Sequence, residues 1–270
     1  MNYNTSLSII VGLCVIFGAY ILDGGILNSL FNLPALLIVV VGTIAAGSAG
    51  STFRQLRNIP ILIKIAFFPN QYDIEKIIKK IIVFSIHSRK EGILSLEDKL
   101  DEIENNFLKK LFQICIDGAD KKTLREVFEI NISQINDRHH SNINFFNKLG
   151  GYSPTMGIIG TVMGLINTLA AAGGEPNQLI RHIATAFIAT LWGILLANML
   201  WFPIADKLKT LNDEELNINQ IMFEGVYGIA AGEVPTVIQA RLVSYFPSTD
   251  QPRINTILTE LIRETSKNIK

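Results

Sequence analysis

Two stretches decide the fold of this chain: LGGYSPTMGIIGTVMGLINTLAAAGG at residues 149–174 and HIATAFIATLWGILLANMLWFPIADKL at residues 182–208. Each holds about 24 residues that can cross roughly 30 Å of hydrocarbon at 1.5 Å per residue. Up to Ala205, neither stretch contains an Asp, Glu, Lys or Arg. They predict a hairpin of two membrane helices joined by an outer turn at residues 173–181.

Small residues form a stripe along each arm of this hairpin. They recur every three or four residues, so the members of a stripe share one face of a helix. In lipid, such stripes let two helices approach closely, because packing there replaces the hydrophobic drive. The stripes consist of Gly157, Gly160 and Gly164 in the first arm and Ala189, Gly193 and Ala197 in the second.

Three of the threonines and two of the prolines in the hairpin are candidates for a function. Thr161, Thr185 and Thr190 offer hydroxyl oxygens inside the membrane, which makes them candidates for an ion path. The alternative is that these hydroxyls bond to the neighbouring helix or to the preceding turn of their own helix. Pro154 and Pro203 lie near the cytoplasmic ends of the arms, where a missing N–H lets a helix bend.

Two further uncharged blocks, residues 5–22 and 33–53, precede this hairpin. The second block opens with Pro34, a residue that helices tolerate in the first turn. A short turn joins the blocks, so they predict a first membrane hairpin. Residues 1–6 lack the basic region of a cleavable signal and no A-x-A-like site follows, so we expect the first block to be retained.

Charged residues are concentrated between these blocks, although 24 Lys and Arg balance 24 Asp and Glu. Apolar residues recur there with a helical period, notably at residues 73–87, 96–115, 123–146 and 214–231, and strand signals are nearly absent. The chain is therefore predicted to be an all-α membrane protein with four transmembrane helices. The predicted domains are a first hairpin at 1–53, a helical cytoplasmic domain at 54–148, a second, pore-lining hairpin at 149–205, and a helical cytoplasmic tail at 206–270. We expect the end of this tail to be weakly tethered.

The distribution of basic residues predicts the orientation of the chain. Only Arg181 falls in a predicted outer turn, whereas Arg54, Arg57, Lys148 and Lys207 flank the opposite ends of the blocks. Because basic residues are enriched in cytoplasmic loops, both termini and the charged domain are expected in the cytoplasm.

The membrane blocks contain no carboxylate. A carboxylate is the usual group that binds an ion transiently inside a membrane, where such groups are rare because they are costly. If this protein moves ions, another polypeptide must therefore supply the carboxylate. His182, at the outer edge of the hairpin, is expected to be an interface residue.

Two charged clusters in the middle domain form a second candidate site. Arg89-Lys90-Glu91 and Glu97-Asp98-Lys99 are separated by residues 92–96. One interpretation is an ordinary solvated face, with ion pairs worth a few tenths of a kcal/mol. The other is an electrostatic docking patch that steers a partner without needing burial.

No motif points to enzymatic chemistry, a metal site or a bound cofactor. The adjacent His139 and His140 would point about 100° apart on a helix, and no Glu or Cys completes a ligand set. Cys14 and Cys115 have no framework spacing, so we expect no disulfide. Cys115 is predicted to be a small core residue, as unpaired cysteines often are.

Taken together, several stretches resemble the A-subunits of flagellar motor stators, the MotA/PomA family. These are PALLIVVVGTIAA at 34–46, RKEGILSLEDKLDEIENNFLKKLFQICIDGAD at 89–120, the RH of INDRHH, and the two arms quoted above. The likeness runs from the first hairpin to about Phe246, and the order and spacing of the stretches match as well.

The resemblance implies an assembly in the bacterial inner membrane at the flagellar basal body. Five A-subunits would form a ring around two single-span subunits of the MotB/PomB type, which carry the ion-binding Asp and anchor to peptidoglycan. Flow of Na⁺ or H⁺ would turn the ring, which would drive the rotor protein FliG through charged contacts and produce torque for motility.

The resemblance also assigns roles to residues of this chain. Because sodium-driven members tend to have Thr at the position of Thr161 and proton-driven ones Ala, it favours Na⁺; a neutral oxygen can replace part of a sodium ion's hydration shell. H⁺ remains the alternative. The implied roles are ion path for Thr161 and Thr190, coupling for Pro154 and Pro203, and rotor contact for Arg89 and Glu97, with Lys90 included in the predicted rotor interface.

Two other functions compete with the stator interpretation. One is an energiser of an envelope protein like TolQ or ExbB, which have three membrane helices; two apolar blocks before Arg54 count against it. The other is a passive membrane scaffold, for which neither Thr161 nor Pro154 would matter to function.

Overall fold

A computed structural model describes residues 4–69, 72–170 and 176–268. These residues form helices and turns and contain no strand, which confirms the predicted all-α class. The α-helices are α1 (Asn4–Leu22), α2 (Leu33–Leu36), α3 (Gly42–Ser48), α4 (Phe53–Phe67), α5 (Ile74–Glu91), α6 (Asn106–Ile116), α7 (Lys121–Ala170), α8 (Pro176–Leu196), α9 (Phe202–Ala230), α10 (Pro235–Val243) and α11 (Gln251–Asn268). Leu27–Leu30 and Ile93–Glu102 are 3₁₀ helices, and Leu37–Val41 and Ala197–Trp201 are π-helical.

The chain divides into two compact units. The first comprises residues 1–70 and 138–211, and the second comprises residues 71–137 and 212–270. The first unit therefore contains the four apolar blocks, and the second contains most of the charged segments. The finer boundaries predicted for the four domains stay a prediction.

Four apolar helices lie in the first unit. Two of them are parts of longer helices, α7 and the continuous run from Pro176 to Ala230, which are long and apolar enough to cross a membrane and whose other ends belong to the second unit. The other two, Ser6–Leu22 and Leu33–Ser48, are apolar but shorter. Part of the predicted outer turn, residues 171–175, lies outside the described residues, and α8 already begins at Pro176.

Local hydrogen bonds explain where the helices of the first unit begin. Asn32 caps the apolar helix at Leu33, because its Oδ1 accepts from the Ala35 N–H at 3.2 Å. Thr52 and Gln55 form a reciprocal capping box at the start of α4. The inner face of α4 then packs on a cluster that includes Phe146 and Ile204.

Helices α5, α6, α10 and α11 and the polar portions of α7 and α9 bury one core in the second unit. Phe128 of α7 stacks on Phe223 of α9 with ring centroids 4.0 Å apart. Gly225 lets α9 lie against α5, since a Cβ there would be 2.5 Å from a methyl carbon of Ile81. The apolar faces predicted for residues 74–82, 124–132 and 221–229 are thus confirmed as core faces.

The predicted helix over residues 96–115 is instead two elements. Gly92 ends α5 with φ +87°, a conformation that favours glycine, and the 3₁₀ helix follows. Asn105 then starts α6 by accepting from the Phe107 and Leu108 N–H groups at 2.9 and 3.0 Å. Cys115 is buried as predicted, and burial raises the pKa of its thiol to about 12.

The expectation of a weakly tethered C-terminal end was wrong. Residues 251–268 form α11, whose Ile254 and Leu258 are fully buried in the second core. Gln239 of α10 donates to the Asn255 carbonyl at 3.1 Å and to Thr259 Oγ1 at 2.9 Å. The sequence pattern shows that this segment has an apolar face, but part of the surface that receives it is formed by α5, which is far away in the chain.

Leu258→Ala should loosen α11, because a leucine truncated in a packed core costs about 2–5 kcal/mol. Thermal unfolding of the purified protein and the rate of tryptic cleavage at Arg263 both report this. Glu260→Ala, on the exposed face of the same helix, is the control. Equal cleavage rates in the two variants would contradict the docked position of α11.

Candidate functional site

Helices α7 and α8 approach each other through the small residues that the sequence singled out. A Cβ added at Gly160 would lie 2.5 Å from the Ala189 Cβ, and one at Gly164 would lie 2.7 Å from the Ala186 Cβ. Carbon atoms in contact are normally separated by 3.5 Å or more. The glycines are therefore required for this spacing, and the predicted close approach of the two arms is confirmed.

A second set of contacts joins the backbones of the two helices. A Cβ at Gly193 would lie 2.7 Å from the Ser153 carbonyl oxygen, and one at Gly157 would lie 3.0 Å from the Ala189 carbonyl oxygen. Neither oxygen can move without shifting its helix, since both belong to backbone. This contact fixes the distance and the register between α7 and α8.

That register brings two of the three predicted hydroxyls together. Thr161 Oγ1 of α7 and Thr190 Oγ1 of α8 form a short hydrogen bond across the helix pair. Thr161 Oγ1 also lies 3.1 Å from the Gly157 carbonyl oxygen and 3.2 Å from the Ala186 carbonyl oxygen. The pair thus concentrates four oxygens at one point of an otherwise apolar hairpin, and it also fits the alternative that these hydroxyls bond helix to helix.

Thr185 has different neighbours. Its hydroxyl donates to the Arg181 carbonyl at 2.9 Å and accepts from Asn32 Nδ2 at 2.9 Å. Nearby, Trp192 Nε1 donates to the Leu30 carbonyl at 2.8 Å. These bonds tie the start of the Leu33–Ser48 helix to α8. Sequence reasoning missed Asn32 and Trp192, since partners about 150 positions apart leave no local pattern.

The two prolines occupy different helical environments. Pro154 lies within α7, which continues from Lys121 to Ala170. Pro203 lies at the start of α9, directly after the π-helical turn Ala197–Trp201. A π turn changes the hydrogen-bond spacing from i→i−4 to i→i−5, and such turns often accompany functional bends. The π turn is a feature that the sequence did not predict.

Several buried polar atoms of the first unit have no hydrogen-bond partner among the described residues. They include Thr43 Oγ1, Ser153 Oγ and His182 Nδ1. A buried polar atom that stays without a hydrogen bond costs free energy, so these three positions are unusual within the first unit. Thr43 and Ser153 were not among the predicted site residues.

In the second unit, Arg89 and Glu97 are exposed, at the end of α5 and in the 3₁₀ helix that follows. Within the described residues, neither has a hydrogen-bond or ion-pair partner. Lys90 differs, because its Nζ donates to the Ser266 carbonyl of α11 at 2.7 Å. Of the three residues predicted for the rotor interface, Arg89 and Glu97 are thus unpaired within the described residues and have opposite charges, whereas Lys90 is engaged.

Neighbouring charges on the same unit are paired. Lys80 bonds to Glu102, and this hydrogen bond lowers the pKa of the Glu102 carboxyl. Lys109 Nζ lies 2.6 Å from Asp101 Oδ1 and likewise lowers the pKa of that carboxyl. Within the described residues, Arg89 and Glu97 have no such neutralising partner, and neither does the adjacent, exposed Asp98.

Known proteins resemble this chain over most of its length. Residues 99–221, which include both arms of the hairpin, match the MotA/TolQ/ExbB proton channel family. The chain is 31% identical to motility protein A of Bacillus subtilis over 93% of both chains. It is 32% identical to the chemotaxis protein PomA of Vibrio alginolyticus over 91% of this chain and 95% of that protein.

A solved structure agrees with the fold. The flagellar MotAB stator complex of Bacillus subtilis contains a chain that superimposes on this one with a TM-score of 0.86 and 31% identity. The match covers 93% of this chain and 98% of that chain. The similarity therefore spans both compact units rather than the hairpin alone.

Gly193→Ala should separate α7 from α8, because the added methyl meets the Ser153 backbone; overpacking of this kind costs about 1–3 kcal/mol. We expect a lower melting temperature and a loss of swimming motility in cells that depend on this chain. Gly18→Ala in α1 is the control, since a Cβ there meets nothing within 4 Å. Wild-type stability and function in Gly193→Ala would show that the close contact is dispensable.

Proposed function

This chain belongs to the MotA/PomA family of flagellar motor stator subunits, and from that membership we propose how it couples ion flow to torque. The Thr161–Thr190 pair carries the proposal: it places hydroxyl and carbonyl oxygens at one point of an uncharged, tightly packed hairpin. Such oxygens can line a path for a cation but cannot hold it by charge. An ion would have to be captured by a carboxylate from elsewhere.

We infer that a single-span subunit of the MotB/PomB type supplies this carboxylate. The related Bacillus subtilis structure is a MotAB complex, and the apolar blocks of this chain contain no Asp or Glu. Five copies of this chain around two such subunits are the assembly that the family resemblance favours. Each unit charge that crosses about 100 mV releases roughly 2.3 kcal/mol, so several ions per step can drive rotation.

The proposed topology has four spans in the bacterial inner membrane with both termini in the cytoplasm. It is supported by the four apolar helices of the first unit and by the basic residues at their ends, from Arg54 to Lys207. The second unit then lies in the cytoplasm, where it can meet the rotor.

Two groups of residues transmit the motion in this proposal. Pro154 and Pro203 act as bending points, the latter beside the π turn Ala197–Trp201. Arg89 and Glu97 contact the rotor protein FliG, since they are exposed and unpaired within the described residues. Lys90, held by the Ser266 carbonyl, belongs to the edge of that surface.

The alternative function is an ion-driven energiser of an envelope protein, which the MotA/TolQ/ExbB family also includes by name. The full-length similarity to motility proteins favours the stator. The scaffold alternative explains the hydroxyl pair only as a bond between helices, and the similarity to motility proteins over most of the chain counts against it. We therefore retain the stator as the function of this chain, with Na⁺ favoured over H⁺ by Thr161.

Thr161→Val keeps the side-chain shape and removes the hydroxyl, whereas Thr161→Ser keeps the hydroxyl. In swimming cells at fixed pH, we expect the valine variant to need about fivefold more external sodium for half-maximal speed, as for one lost hydrogen bond of about 1 kcal/mol. Thr168→Val is the control, because that hydroxyl bonds only to the preceding turn of α7, at Gly164. A wild-type speed that does not depend on sodium would assign the motor to protons.

Arg89→Glu should reduce swimming speed, because like charges would then face each other at the rotor surface. A complementary charge reversal on FliG should restore part of the speed. Arg263→Glu, an equally exposed reversal on α11, should have no effect. If neither Arg89→Glu nor Glu97→Lys alters torque, these charges are ordinary solvated surface.

A further inference from the structure

A polar cleft of about 510 Å³ lies in the first unit. This volume is typical of sites for small molecules or headgroups. The cleft lies between the segment that leads into α4 and the part of α7 just before the apolar arm. Its polar lining consists of Ser51, Gln55, Ser141, Asn144, Asn147 and Lys148.

The lining has a net positive charge. Lys148 is its only charged residue, and it makes no ion pair or hydrogen bond within the described residues. The ammonium group lies beside the backbone, since a Cβ on Gly50 would be 4.0 Å from Lys148 Nζ. Gln55 Nε2 donates to Ser141 Oγ and joins the two walls. The cleft thus offers an unpaired cation next to free amide donors.

The cleft lies where the apolar helices end. Lys148 directly precedes the uncharged residues 149–170, and Ser51 follows shortly after the Leu33–Ser48 helix. Helix α4 begins beside it, and its charged residues are basic only, at Arg54, Arg57 and Lys64. Phe53, at the start of α4, is 92% exposed. Under the topology proposed above, this is the headgroup level of the cytoplasmic leaflet.

We propose that the cleft binds the phosphate of an anionic phospholipid from that leaflet. Lys148 pairs with the phosphate, and the amides of Asn144 and Asn147 and the hydroxyl of Ser51 donate to its oxygens or to the glycerol headgroup. A zwitterionic lipid fits less well, because the lining contains no carboxylate for a headgroup ammonium. Phe53, exposed at the start of α4, is the apolar side chain next to the cleft that an acyl chain could contact.

Native mass spectrometry of the purified complex tests this, with phosphatidylglycerol, phosphatidylcholine or inorganic phosphate added. We expect selective retention of phosphatidylglycerol. Lys148→Gln should weaken it about fivefold, as for one basic residue at an anionic surface. Asn144→Asp, which places a negative charge in the cleft without changing its shape, should weaken it further. Lys64→Gln, which removes a charge from α4 outside the cleft, should leave retention unchanged.

Three outcomes would overturn the proposal. The first is that the complex retains phosphatidylcholine as well as it retains phosphatidylglycerol. The second is that Lys148→Gln retains phosphatidylglycerol as the wild type does. The third is that inorganic phosphate protects the complex against thermal unfolding as well as the lipid does. The readout does not depend on motility or on ion flow. A stator function without lipid binding, or lipid binding without a stator function, can therefore be distinguished.

Discussion

The contact between the backbones of α7 and α8 constrains the rest of the membrane unit. A side chain at position 193 would clash with the Ser153 carbonyl, so the observed register requires glycine there. That register sets Thr161 against Thr190. In lipid, where apolar side chains gain nothing by leaving the solvent, close packing and hydrogen bonds are the forces that hold such a pair together. Glycine thus lets α7 and α8 approach closely, and the threonine hydroxyls form a hydrogen bond between them.

The same packing is consistent with the absence of Asp and Glu from the apolar blocks. A carboxylate between two helices in backbone contact would have no room and no water, and its burial there would be costly. A charge that must bind and release a cation is better carried on a separate helix that can move relative to the first. The buried hydroxyls of Thr43 and Ser153 also have no hydrogen-bond partner among the described residues. They are compatible with a separate helix that supplies polar groups to this unit.

The sequence predicted features that depend on local periodicity and missed those that depend on distant partners. The glycine stripes, the core faces of α5 and α7 and the burial of Cys115 all follow from spacing or residue type. The bond from Asn32 to Thr185 joins residues 153 positions apart, and no pattern in either segment indicates it. The docking of α11 was missed for the same reason. A helical period shows which face is apolar, but it does not show what covers that face.

The charged surface of the second unit illustrates a further limit of sequence reasoning. Arg89 and Lys90 are adjacent and chemically alike, so a sequence motif treats them together. In the fold, Lys90 donates to the Ser266 carbonyl of α11, whereas Arg89 remains unpaired within the described residues. An exposed charge that is already paired contributes little field to an approaching partner. The C-terminal helix therefore does more than complete the core: by engaging Lys90, it leaves Lys90 at the edge of the surface proposed for the rotor and Arg89 as the unpaired member of the two within the described residues.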